Sequence, residues 1–205
     1  MTRTITALYD SYEDAGLAVR DLEAAGIRDE DISLVANNTG ERVRKHVKEG
    51  NEAGTGAEAG ATFGAVVGGT VGILAGLGML AIPGVGPVVA AGWLAATAAG
   101  AVGGAAVGGA GGGLIGAMIG NGVPEEDAHF YAEGVRRGGT LVTVRAEDHL
   151  AGRIEEILLQ HDSVDPIGRR TAYQEAGWSR FDENAPIYDS DEVTRERRLR
   201  DSIRP

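Results

Sequence analysis

Apolar positions recur along this chain with three different periods. From Thr4 to Asp10 they alternate, placing Ile5, Ala7 and Tyr9 on one side, which predicts a β-strand. The period then lengthens. Ala15, Ala18, Val19, Leu22 and Ala25 fall at helical spacing, Ser11 with Asp14 supplies an N-cap, and Gly26 stops the helix. Ile32–Ala36 predicts a second strand and Asn37–Gly40 a turn. The same grammar resumes near Pro124, which suits the first position of a helix. Glu125, Glu126 and Asp127 match the positive end of its dipole, and Ala128, Tyr131, Ala132 and Val135 line one face. Gly138 and Gly139 end that helix. Leu141–Arg145 predicts a strand, a helix with Leu150, Ile154, Ile157 and Leu158 inward follows, and a short strand closes the series near Val164–Ile167.

Setting aside the helix at 125–137 and the stretch before it, the order is β-α-β-β-α-β. The expected class is therefore α+β: a ferredoxin-like (split βαβ) domain interrupted by a Gly/Ala-rich helical hairpin. Its halves are residues 1–40 and 125–168. Residues 41–58 predict a polar linker, 59–124 the hairpin, and 169–205 a charged C-terminal tail with a short helix near 191–200.

The third period is four residues and belongs to glycine. Gly64, Gly68, Gly72 and Gly76 precede the turn Pro83-Gly84-Val85-Gly86-Pro87. Gly92, Ala96, Gly100, Gly104, Gly108, Gly112, Gly116 and Gly120 follow it. On helices, positions four apart form one groove without side chains, which predicts close helix packing in the small-xxx-small manner. Each helical glycine costs roughly 1 kcal/mol relative to alanine, so a dry environment is expected around the stripe.

Composition sharpens this picture. Glycine contributes 33 of 205 residues, and no Asp, Glu, Lys, Arg or His occurs between Glu58 and Glu125. Residues 61–82 would reach about 33 Å as a helix, enough to cross a bilayer. The second arm has few large side chains between Thr97 and Gly113, so a protein partner, a second copy of the chain, is expected to cover it. Basic residues (Arg42, Arg44, Lys45, Lys48) precede the first arm and none lies in the turn, which places both flanks in the cytoplasm if the hairpin spans. Both flanks are acidic, with 7 basic against 12 acidic residues in 1–58 and 12 against 18 in 125–205. That argues against nucleic acid as a partner. The N-terminus does not have a signal-peptide pattern. The chain has no cysteine, which removes disulfides and thiol chemistry.

Candidate chemistry is sparse, and no cofactor, metal or small-molecule substrate is expected. Gly111–Gly116 satisfies G-x-G-x-x-G but lies within the zipper. His149, Arg153 and Glu156 could share a helix face near His161, and His46 lies in the basic run; solvated surface explains each of them. Glu125, Glu126 and Asp127 could hold a cation, although the helix dipole accounts for them more cheaply. Tyr173, Trp178, Phe181 and Tyr188 form either a docking segment or a tail without a role. Arg195, Arg197, Arg198 and Arg200 are interspersed with acids, which predicts pairing within the chain.

Several motifs also resemble a family. The entry Asp10-Ser11-Tyr12-Glu13-Asp14-Ala15, the turn Ala81-Ile82-Pro83-Gly84-Val85-Gly86-Pro87, the exit Gly122-Val123-Pro124-Glu125-Glu126-Asp127-Ala128, and Tyr131 with Gly138-Gly139-Thr140-Leu141-Val142 are similar to bacterial general-stress and low-temperature-induced proteins with a central glycine zipper. The resemblance covers roughly residues 4–168. It implies a membrane-associated stress protein and supplies no catalytic residues. The expected function is thus non-enzymatic: a homo-oligomer joined through glycine-zipper helices, at the inner (cytoplasmic) membrane with the lipid bilayer as a further partner. The alternative is a soluble, self-assembling cytoplasmic particle, a shell or filament, with the hairpins at its subunit contacts.

Overall fold

The computed structural model describes residues 2–39, 78–97 and 113–203. Strand β1 (Thr2–Tyr9) leads into helix α1 (Tyr12–Ala24), as its alternation and cap predict. The Ser11 hydroxyl accepts from the Asp14 amide at 3.0 Å, satisfying one of the free N–H groups of the first turn. Gly26, at φ +87, ends the helix in the left-handed conformation. Ser11→Ala is expected to lower stability by about 1 kcal/mol, read as a reduced urea midpoint at unchanged slope.

A 3₁₀ turn then delivers β2 (Ile32–Asn37). The chain is next described in β3 (Gly78–Ile82) and β4 (Gly86–Gly92), followed by a helical stretch at 93–97. Helices α2 (Leu114–Gly120) and α3 (Glu125–Arg136) come next, then β5 (Thr140–Glu147) and α4 (Ala151–Leu159). The C-terminal part carries α5 (Pro166–Glu175) and α6 (Ser190–Ile203).

The architecture is mixed α+β around one antiparallel five-stranded sheet, in the order β1-β5-β2-β4-β3. Both faces are covered. On one, Ile5, Tyr9, Ile32, Leu34, Val142 and Val144 pack against α1 and α4. On the other, Leu8, Val35, Val88, Ala90 and Leu141 pack against α2, α3 and aromatic residues of the C-terminal part. Burial on both faces explains why β2 and β5 read as nearly continuous apolar runs.

The structure corrects the expected helical hairpin within residues 78–92. Pro83, Gly84, Gly86 and Pro87 do mark a turn, but it joins two strands, with the Val85 amide bonded to the Ile82 carbonyl at 3.1 Å. Gly84, Gly86 and Gly92 have φ of +72, +99 and +83, all incompatible with a helix interior. Val88 and Ala90 enter one core while Val89 and Ala91 enter the other, the signature of a strand. The physical reason for the misreading is the spacing itself. Residues four apart share a face in a strand as well as in a helix, so the glycine period did not distinguish them.

Other zipper positions divide in two groups. Gly64, Gly68, Gly72, Gly76, Gly100, Gly104, Gly108 and Gly112 lie outside the described residues, as does the first glycine arm as far as residue 77. Ala96, Gly116 and Gly120 are described and exposed; α2 turns Leu114, Ile115, Ala117 and Met118 inward and keeps its glycines on the outer side. No helix among the described residues is long and apolar enough to cross a membrane.

Three smaller corrections concern the flanks. Pro124 occupies the N-cap of α3 rather than its first turn. The closing strand expected at Val164–Ile167 is a single bridge, Tyr9 with Ser163, because Asp165 caps a new helix at Pro166 and diverts the chain. The charged tail is not detached: Tyr173, Phe181 and Val193 are buried in the body of the protein.

Candidate functional site

The C-terminal segment crosses the outer face of α3, and the most developed cluster of polar groups lies where they meet. Its anchor is a pair of arginines at the end of α3. Glu133, 1% exposed, accepts from Arg137 Nε at 2.7 Å and from Arg136 Nη1 at 3.3 Å. Their spacings of three and four residues put all three groups on one helical face. Burial works against the charge on Arg137, but its bond to Glu133 and the nearby Glu196 raise its pKa.

Both guanidinium groups then seize the C-terminal segment. Arg137 stacks 4.2 Å over the Tyr173 ring and Arg136 4.7 Å over that of Tyr188. Arg136 also donates to the Pro186 carbonyl at 3.2 Å, and Arg137 reaches Glu196 at 3.3 Å. Desolvated cation–π contacts of this kind contribute on the order of 1–2 kcal/mol each. From α6, Arg197 donates to the Gly138 carbonyl at 2.8 Å, placing a cation at the negative end of the α3 dipole. This tail arginine thus serves the end of a helix.

The opposite end of α3 is held in the same way. Glu125 pairs with Arg180 at 2.7 Å, while Arg170 bridges Glu126 at 2.8 Å and Asp127 at 2.5 Å. The acidic turn that could have held a cation is thus occupied by the protein's own arginines. Between α3 and the crossing segment remains a cleft of about 340 Å³ lined by Glu125, Glu126, His129, Gln174, Trp178 and Arg180. His129 is buried, and burial first, then Arg180, lowers its pKa against the opposing Glu125 and Glu183. A second tie, Arg169 to Asp10 in two bonds of 2.8 and 2.7 Å, fixes α5 to the end of β1.

The same segment seals the β3–β4 turn. A Cβ on Gly84 would lie 2.7 Å from the Glu183 Cα and 2.8 Å from the Phe181 ring, and one on Gly86 2.5 Å from Ile187. Backbone and side chain fit there without space for another atom.

The residues singled out for acid–base chemistry do not converge. His149 is exposed beside Glu147, Arg153 faces Glu156 at 3.8 Å, and His161 pairs instead with Asp21 at 2.7 Å. His46 and Gly111–Gly112 lie outside the described residues; Gly113, at φ +86, opens α2. Among the described residues, no group of three or more His, Asp or Glu is placed to hold a metal ion. Sequence reasoning missed Glu133 and His129, although the Glu133-x-x-Arg136-Arg137 spacing carried a readable signal. No family model, curated protein or solved structure matches the chain.

Proposed function

We propose that this chain is a non-enzymatic, self-associating protein whose uncharged Gly/Ala-rich segments join copies of a rigid α+β body. The reading rests on one observation: both ends of each segment are tied into the same folded body. The segment after Thr39 runs from β2 to β3, and that after Thr97 from the end of β4 to α2, all gathered on one sheet. A single bilayer crossing would separate strands that pair. A double crossing by helices needs about 40 apolar residues. The uncharged residues available are 59–77 and 98–112, since 78–97 belong to the body. This favours a soluble assembly over a spanning one. A stress-related role follows the family resemblance.

The order β1-β5-β2, with the Ser163 bridge outside β1 and both α1 and α4 on one face, further supports a ferredoxin-like (split βαβ) relationship. In that reading β4 and β3 extend the sheet at its free side.

Detergent-free purification followed by native mass measurement tests the proposal. The expected result is a stable particle of several times 21.2 kDa. A monomer would overturn self-association. Membrane association, which the long uncharged stretch favours as a second reading, predicts retention in the pellet after alkaline carbonate extraction; the soluble reading predicts release.

A further inference from the structure

The cleft at the start of α3 closes over His129, which is 8% exposed and has neither ring nitrogen hydrogen-bonded to the protein. An uncharged imidazole tolerates that position at modest cost, whereas an imidazolium there is expensive to bury unless a neighbouring carboxylate fully compensates it. We propose that His129 is an acid-sensitive latch: its protonation lifts the segment around Trp178–Glu183 from α3.

The groups facing it explain the direction. On its own helix, Glu125 Oε1 lies 3.7 Å from His129 Nε2. That oxygen is also the partner of Arg180, 2.7 Å away on the crossing segment. Glu183, from the same segment, acts on the ring at longer range. With His129 neutral, Glu125 serves Arg180 and the segment stays down. Once charged, the imidazolium competes for that oxygen and sets a second cation beside the guanidinium. Glu125 is half-exposed or more, so water screens part of its attraction and it does not fully offset the buried charge. The segment carries Trp178 and Phe181, so its release bares the aromatic cluster of Tyr173 and the Gly84 turn.

The sign of the pH dependence follows. The closed state depresses the His129 pKa, so its stability is complete above the ordinary histidine value of about 6.5. It is lost as pH falls from there toward the depressed value. The latch operates within one chain and does not depend on self-association.

The test follows Trp178 fluorescence in a Trp93→Phe variant of the full chain between pH 8 and pH 5. Emission is expected to move to longer wavelength with a midpoint below about 6.5, while the additional change His129→Gln keeps it at short wavelength throughout. Ring-proton NMR of His129 should titrate with the same midpoint. An unshifted emission at pH 5, or the same transition with His129→Gln, would overturn the latch. Should the Gln variant not fold, a fluorescence midpoint that departs from the His129 titration does so equally.

Discussion

Gly92→Ala is expected to abolish the folded state or to destabilise it by at least about 3 kcal/mol, with the sharpest loss in β4. Gly92 ends β4 at φ +83, where an L side chain is strained. It also has no room. An added Cβ would collide with the Ile32 carbonyl oxygen and lie 2.8 Å from the Ser33 Cα, both backbone atoms of the adjacent β2. Those atoms are held by ladder pairing and by the Ser33 hydroxyl, which donates to the Ala91 carbonyl at 2.7 Å. They cannot rotate aside as a side chain could. In a helical zipper the same change would replace one small residue by another and raise helix propensity by roughly 1 kcal/mol. The two arrangements therefore predict opposite signs. Urea unfolding followed by circular dichroism reads the difference directly.

Glu133→Ala is expected to cost about 3 kcal/mol and to loosen the whole C-terminal segment. Removing one member of a buried ion pair leaves the other charge without compensation, which is far more costly than the pair is favourable. Here two guanidinium groups lose one carboxylate: Arg136 and Arg137 have side chains only 12% and 10% exposed. The value falls at the lower end of the range for such pairs because Arg137 keeps Glu196 and Tyr173, and Arg136 keeps the Pro186 carbonyl. Glu133→Gln, which preserves an acceptor, should lose less. Thermal unfolding ranks the two variants, and faster proteolysis between residues 176 and 189 reports the loosened segment.

Much of the domain was legible where local chemistry and tertiary context agreed. The Ser11 cap, the Gly26 stop, the alternating β1 and the dipole-matched start of α3 each combine a propensity with a position, and each stands as expected. The failure at 78–92 is of another kind. Met79–Ile82 and Val88–Ala91 are short apolar runs around a Pro/Gly turn, which fit either two helical ends or a hairpin of strands. The choice was made by remote partners: β2 offers Val35 and Ala36 to Ala90 and Val89, and the C-terminal segment closes over the turn. Neither partner is near in sequence. Which of the two readings of the C-terminal aromatics holds, a docking segment or a tail without a role, was likewise decided by remote partners. The C-terminal part has little apolar periodicity of its own, and what docks it is a set of arginines on α3 that meet Tyr173, Tyr188 and Glu196 only after folding. The candidate site was legible only in part: the acidic turn of Glu125, Glu126 and Asp127 and the aromatics Tyr173, Trp178 and Tyr188 stood out, whereas His129 and Glu133 acquire their character from burial.

An engineered disulfide tests the central claim, that the Pro/Gly turn belongs to a strand hairpin paired with β2. Val35 and Ala90 are opposite each other in the β2–β4 ladder, both 1% exposed and on the same face. Opposed residues in an antiparallel pair lie roughly 4.5–5.5 Å apart at Cα, within disulfide range. The chain has no cysteine of its own, so Val35→Cys with Ala90→Cys introduces the sole two thiols. Mild oxidation of the folded protein should leave no free thiol and link residues 35 and 90 within one chain, shown by mass spectrometry of its peptides. Two free thiols in the folded, oxidised protein, or links between chains alone, would contradict the account.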